Sequence, residues 1–155
     1  MSSADKLFKK TGQLLVIDPG ETCGFAWFSK DGDEIALESH GQNGWATFEW
    51  ELYTGLVVYR DSMTILIENY RMRPSTIGAN MNRELITVKV IGAIEFIARL
   101  YDIPVAFQTP AQQAKQFFSR KRLEKYGMWA KGKQHSRSAI RHGLWYLTFG
   151  EGKED

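Results

Sequence analysis

Two short, almost uninterrupted apolar runs in this 155-residue chain each end in a carboxylate: QLLVID at residues 13–18 and MTILIE at residues 63–68. Runs this short, built from branched residues, read as strands covered on both faces. Pro19-Gly20 then stops the first strand in a turn. A carboxylate at the end of a buried strand is costly unless it is paired or bound to a cation. If the two strands are neighbours, Asp18 and Glu68 sit about 5 Å apart across the sheet. Carboxylates that close repel one another unless a divalent ion neutralises them. Mg²⁺ held by a few carboxylates, with substrate phosphate completing the shell, is the arrangement used for phosphoryl transfer. Each acid also has a structural explanation, Asp18 as the cap of the DPG turn and Glu68 as the partner of Arg71 or Arg73. The pair in one topology favours metal.

The rest of the chain supplies the elements around those strands. CGFAWFS (23–29) and EIALESHG (34–41) read as strands joined by a Lys30-Asp31-Gly32-Asp33 hairpin turn. Trp45, Phe48, Leu52, Leu56 and Tyr59 recur at helical spacing and predict an amphipathic helix over 44–59. Residues 70–82 read as a polar loop. Ile86, Val90, Ala93, Ile94 and Ile97 share one face of a helix over 83–101. PVAFQ (104–108) is a fifth strand, and Pro110 opens a helix running to about Leu123. A basic, glycine-containing loop over 124–134 precedes a last helix over 135–149. The order β-β-β-α-β-α-β-α-α predicts an α/β domain over 13–149, with a mixed five-stranded sheet flanked by helices and flexible tails at 1–12 and 150–155. Trp27, Trp50 and Trp145 read as core residues.

Composition narrows the class. The aromatic share is 13% and the single cysteine, Cys23, cannot form an internal disulfide. No apolar run approaches the roughly 18 residues of a bilayer span, and the N-terminus shows no signal-peptide core. These features predict a soluble, cytoplasmic protein without a membrane partner. The net charge of +2 hides a split: residues 1–110 carry 10 Lys/Arg and 14 Asp/Glu, whereas residues 111–155 carry 10 and 4. A basic C-terminal third beside buried acids suits a polyanion held against a site that needs carboxylates. A solvated lysine-rich helical face is the plainer alternative.

Lys115, Arg120, Lys121, Arg122, Lys125, Lys131 and Lys133, with Tyr126 and Trp129 among them, suit phosphate contacts with some stacking. Tyr70, Arg71, Met72 and Arg73 after Glu68 could wedge into a distorted duplex. His135, Ser138 and His142 fall at i, i+3 and i+7 of the last helix and share a face, with Arg137 and Arg141 beside them. That face could offer a metal ligand or proton donor, or simply be a polar surface. In DPGETCG the glycines permit positive φ and exposed amides could approach a phosphate; a plain tight turn explains them as well. Cys23 reads as a buried small residue rather than a nucleophile.

VIDPGETCGFAWF, LIENYRM, IPVAFQTPAQQAKQFF and HSRSAIRHGLWYL, in that order over about residues 13–148, resemble the RuvC-type Holliday junction resolvases, especially the short phage-type members. The resemblance implies an RNase H-like fold with sheet order 3-2-1-4-5, a homodimer, and two Mg²⁺ or Mn²⁺ ions. Asp18 and Glu68 match the first- and fourth-strand acids of the family site, His135 matches the first metal-binding position of the last helix, and Lys115 matches a basic residue near the start of the helix after the fifth strand. The second last-helix position is normally Asp; here it is Ser138, before Ala139. A hydroxyl is a weak neutral ligand, so the site loses a negative charge. Ser138 is an engineered change, a natural degeneration, or a variant using another ligand such as His142.

The expectation is therefore a metal-dependent endonuclease that resolves branched DNA, leaving a 5′-phosphate, with Asp18, Glu68, His135, Ser138 and Lys115 at the site. Asp18, Glu68 and His135 would hold the metal. Tyr70, Arg71, Arg73, Lys115, Arg120, Lys121, Arg122, Lys131, Lys133 and Arg137 would hold DNA. Its rivals are a junction-binding protein that no longer cleaves, favoured by Ser138, and an actin-like ATP-dependent kinase sharing a D-x-G-x-T turn, for which 155 residues are too few.

Overall fold

A computed structural model describes residues 12–59, 61–69, 81–109 and 112–150 of the chain. The strands are β1 (Gly12–Asp18), β2 (Thr22–Asp31), β3 (Glu34–Gly44), β4 (Met63–Glu68) and β5 (Val105–Gln108). Among the described residues the helices are α1 (Trp45–Tyr59), α2 (Met81–Leu100), α3 (Gln112–Phe117), α4 (Arg120–Lys125) and α5 (Gln134–Phe149). The tails 1–11 and 151–155 and the segment 70–80, with Tyr70, Arg71 and Arg73, lie outside the described residues, as does Pro110.

The five strands form one sheet in the order β3-β2-β1-β4-β5, the expected 3-2-1-4-5. The first three strands are antiparallel neighbours, and β1, β4 and β5 run parallel. Register Asp31↔Glu34 leaves Gly32 and Asp33 as the hairpin loop, and Gly32 adopts φ +58°, a conformation that favours glycine.

Alternation along the strands divides the core in two. Leu14, Val16, Ala26, Phe28, Leu66 and Ala106 face Ala139, Ile140, Leu144 and Leu147 of α5. Leu15, Ile17, Phe25, Ile65 and Ile67 face Phe48, Leu52 and Leu56 of α1 and Val90, Ile94 and Ala98 of α2. The central strands are apolar on both faces because both faces are covered. Parity then sets the direction of the terminal residues. Asp18 follows Leu14 and Val16, and Glu68 follows Leu66, so both acids belong to the α5 face.

Three sequence expectations are corrected. The helix predicted from Pro110 to Leu123 is two helices. Phe118 is buried, its N–H donating to Ala114, and Ser119 is extended (φ −63°, ψ 163°) and N-caps α4 by accepting from Arg122 N–H. Trp50 is 72% exposed rather than core. It stands two residues from buried Phe48, about 200° around the helix, and so faces away from the sheet. Tyr59 is also substantially exposed, although its ring lies 5.6 Å from that of half-buried Trp27. Cys23 is fully buried, as expected, and donates to Gly20 O; burial pushes its thiol up to about 11. That removes it from thiolate chemistry.

Candidate active site

The site is a row of residues crossing the whole sheet. Backbone register aligns Gln42 of β3 with Gly24 of β2, Gly24 with Asp18 of β1, and Glu68 of β4 with Gln108 of β5. The β1–β4 register ends at Ile17↔Ile67, one step before the two acids. All five positions lie at one end of the sheet on its α5 face, where the first two turns of α5 pass over them.

Each member of the row makes a different provision for that helix. Gln42 Oε1 accepts the His135 N–H at 3.0 Å. It satisfies one of the orphan donors of the helix start, where Lys133, the N-cap residue, makes no side-chain cap. Gly24 leaves room: a Cβ there would lie 2.1 Å from His135 O and 2.2 Å from His135 C. The glycines of DPGETCG do not take positive φ, so Gly24 is required for close approach and not for a left-handed turn. Asp18 Oδ2 accepts from His135 Nδ1 at 3.0 Å. Glu68 Oε2 accepts from Ser138 Oγ at 3.4 Å and faces His142 Nε2 at 3.4 Å. Gln108 Nε2 lies 3.3 Å from His142 Nδ1. His142 thus stands between the two side chains, its Nε2 toward Glu68 and its Nδ1 toward the Gln108 amide. One position up β3, on the same face, His40 Nδ1 meets the fully buried Ser136 Oγ at 3.0 Å.

The electrostatics follow from two acids sharing one partly buried space. Asp18 is pushed up to about 6, first by burial and then by the Glu68 charge, against the pull of the His135 hydrogen bond. Burial works against the charge of Glu68 too, but hydrogen bonding and charge from His142, with bonds from Asp18 and Ser138, hold it below the usual range. The hydrogen bond to Asp18 raises His135. Burial, with the Lys133 charge, lowers His40. The two carboxyls are thus within hydrogen-bonding reach of each other, and imidazoles flank them on both sides.

This donor set fits a divalent cation held by oxygen. Asp18 is a carboxyl whose charge the protein itself does not fully balance, next to a second carboxylate. The imidazoles are turned onto the carboxylates, and among the described residues no three His, Cys, Asp or Glu side chains converge on a common point. The structure brings Asp18, Glu68, His135 and Ser138 together. It places Lys115 on α3, exposed and with no bond to either acid among the described residues. Arg120, Lys121, Arg122, Lys131, Lys133 and Arg137 lie on α4, the loop after it and the start of α5.

Gln42, Gln108 and His40 were not picked out from the sequence. Gln108 carried a usable signal, being the polar end of an apolar strand, as Asp18 and Glu68 are. Gln42 and His40 carried none, because their relevance comes from lateral pairing across β2. His142, offered only as an alternative ligand, is 6% exposed and belongs to the site rather than to a polar surface.

No protein-family model matches the chain, and no curated protein matches it. Solved structures do match in fold. T. thermophilus RuvC in complex with Holliday junction substrate superposes with a TM-score of 0.64 at 15% identity, over 90% of this chain and 98% of that one. The fowlpox virus Holliday junction resolvase gives 0.55 at 16% identity, over 87% and 97%. Its complex with substrate Holliday junction DNA gives 0.54 at 16% identity, over 87% and 96%. The chain has the RNase H-like fold of these proteins over nearly its whole length.

Proposed function

We propose that the protein is a metal-dependent endonuclease that resolves four-way and other branched DNA junctions. The observation that carries this reading is the pair Asp18 and Glu68 at the ends of neighbouring parallel strands, under His135 and Ser138 of α5, in a fold matched by junction resolvases. Asp18 and Glu68 would hold the ion, with His135 joining them once its proton is lost. Bound Mg²⁺ or Mn²⁺ would supply a nucleophilic water and stabilise the leaving 3′ oxygen, leaving a 5′-phosphate. The chain's own residues set the conditions. His142, fixed by Gln108, orients Glu68. His135 neutralises Asp18 before an ion arrives. Arg120, Lys121, Arg122, Lys131, Lys133 and Arg137 bind DNA phosphates, joined by Lys115 and by Tyr70, Arg71 and Arg73 of the loop after Glu68. Cleavage of a synthetic four-way junction in Mg²⁺ or Mn²⁺, compared with Asp18→Asn, tests this. Equal cleavage by both proteins would overturn the role of Asp18.

Ser138 favours a second reading, junction binding without cleavage. Its hydroxyl meets Glu68 where a carboxylate would add charge. Raising cleavage by orders of magnitude with Ser138→Asp would show that the present chain is weakened. Strong metal-dependent cleavage by the present chain would show that serine is tolerated.

The active species is a homodimer in this proposal. Leu85, Val88, Phe96 and Leu100 form an exposed apolar stripe along α2, from 39% to 63% accessible, a surface of the kind that marks an interface. Light scattering on Phe96→Glu against the unchanged protein tests it. Among the described residues no helix is long and apolar enough to cross a membrane, and the proposed setting is the cytoplasm, that of a host cell if the chain is phage-encoded.

A further inference from the structure

On the flank of α5 turned away from the carboxylates, three arginines converge on one indole. The guanidinium carbons of Arg137, Arg120 and Arg141 lie 4.7, 5.2 and 5.7 Å from the ring centre of Trp129, all within cation–π range. They come from two elements, Arg120 from α4 and Arg137 and Arg141 from α5, while Trp129 lies in the segment between. Two of the three are fixed by backbone carbonyls. Arg137 Nη1 donates to Ala130 O at 2.8 Å, and Arg141 Nε donates to Phe118 O at 2.9 Å.

The charge around this indole is unbalanced. Glu124 pairs with Arg120 at 2.7 Å, but among the described residues no carboxylate pairs with Arg137 or Arg141. Within 111–142 Glu124 is the one acid against nine basic residues. A purely structural staple would be cheaper with a carboxylate at its centre, because three like charges around a ring repel one another. Here the carbonyls and the ring hold Arg137 and Arg141 in place, and among the described residues no carboxylate offsets their charge. Burial, together with the Arg137 charge, pushes the Arg141 guanidinium below its usual pKa, the direction expected of a cation lacking a counter-charge.

We propose that Trp129 with Arg120, Arg137 and Arg141 is a preassembled clamp for a backbone phosphate of the DNA strand. The proposal rests on the junction-nuclease reading and deepens it by naming a phosphate subsite. Trp129 does not stack on a base in this scheme. It arrays the guanidiniums, so that little side-chain freedom remains to be lost when the strand docks. Arg141 stands about one helical turn beyond Ser138, so the clamp and the carboxylates are carried on one rigid element. A phosphate held here would fix the strand relative to the acids without touching the reacting group.

The test is anisotropy titration of a fluorescein-labelled four-way junction in EDTA at several salt concentrations, beside a linear duplex of the same length. Each phosphate contact contributes about 0.9 to the slope of log K against log salt. Arg137→Gln is expected to lower that slope by about 1, and Arg137→Gln with Arg141→Gln by 1 to 2. Trp129→Leu keeps every charge, yet is expected to weaken binding about tenfold or more by releasing the arginines. Lys30→Gln removes one charge from the end of β2 that pairs with Gly12, at the opposite end of the sheet from Asp18, and is expected to change the slope by less than 0.5. Should Trp129→Leu or the double variant not fold, Arg137→Gln and Trp129→Phe, each with its melting temperature recorded, decide the matter. Slopes equal to that of the unchanged protein in folded Arg137 variants overturn the clamp, as does equal loss in the Lys30 control. If the slopes fall but the protein binds duplex as tightly as the junction, the clamp stands and the junction reading fails.

Discussion

Asp18 makes the metal-free protein's stability depend on pH in a defined direction. Its pKa rises from 3.8 to about 6 on folding. A group whose folded pKa is raised stabilises the fold below its unfolded pKa, and that contribution is lost as pH rises through the folded value. His135 is raised as well and acts in the same sense above its ordinary 6.5; Glu68, which is lowered, acts oppositely as pH falls below 4.5. In EDTA, Asp18→Asn is therefore expected to be more stable than the unchanged chain at pH 7.5, by roughly 1–2 kcal/mol after the weakened bond to His135 is allowed for. The advantage should vanish near pH 4. Melting temperatures of both proteins across pH 4 to 8 check this, and a difference independent of pH would refute it. At the other end of the row, His142→Ala strands both Glu68 and Gln108 Nε2 and is expected to cost roughly 1–3 kcal/mol. Gln108→Leu should cost clearly less, because Gln108 Oε1 is buried with no partner among the described residues and its removal offsets the bond lost to His142. Urea unfolding at pH 7 separates the two variants.

At the scale of elements, α5 is held by what each strand presents to it. Gly24→Ala would push a methyl into the His135 backbone, which cannot swing aside as a side chain can. The expected cost is roughly 1–3 kcal/mol, together with loss of the His135–Asp18 contact, visible as a displaced histidine signal in NMR titration. An unchanged histidine titration would show that the helix start is looser than this packing implies. The elements that were legible in the sequence are those whose burial is two-sided: β1 and β4 announce themselves because nothing polar interrupts them until Asp18 and Glu68. The break between α3 and α4 is masked in the sequence because Phe118 and Leu123 fit a continuous helical face; its signal is Ser119, a good N-cap residue, three before Arg122. Trp50 reads as core from its aromatic character alone, although its own spacing from Phe48 points it outward. Gln42 and His40 were illegible, since which residue lies beside Gly24 or Ala26 depends on strand register and not on local pattern.

For the whole molecule, a bound ion would act on folding as well as on chemistry. Mn²⁺ at 100 times its dissociation constant is expected to stabilise the unchanged protein by about 2.7 kcal/mol and to leave Asp18→Asn nearly unaffected. Thermal melts with and without Mn²⁺ at pH 7.5 test this, and equal shifts in the two proteins would place the ion elsewhere. The transverse row has a wider consequence. Its five members come from positions 18, 24, 42, 68 and 108, so a slip of any one strand by a single residue would turn its contribution to the opposite face of the sheet. A misregistered chain cannot assemble a partial site; it presents α5 with a gap or a clash instead. Errors in folding are thereby converted into absence of the site rather than into a deformed one. For a protein proposed to cut DNA, that ties the capacity for cleavage to a completed and correctly threaded sheet.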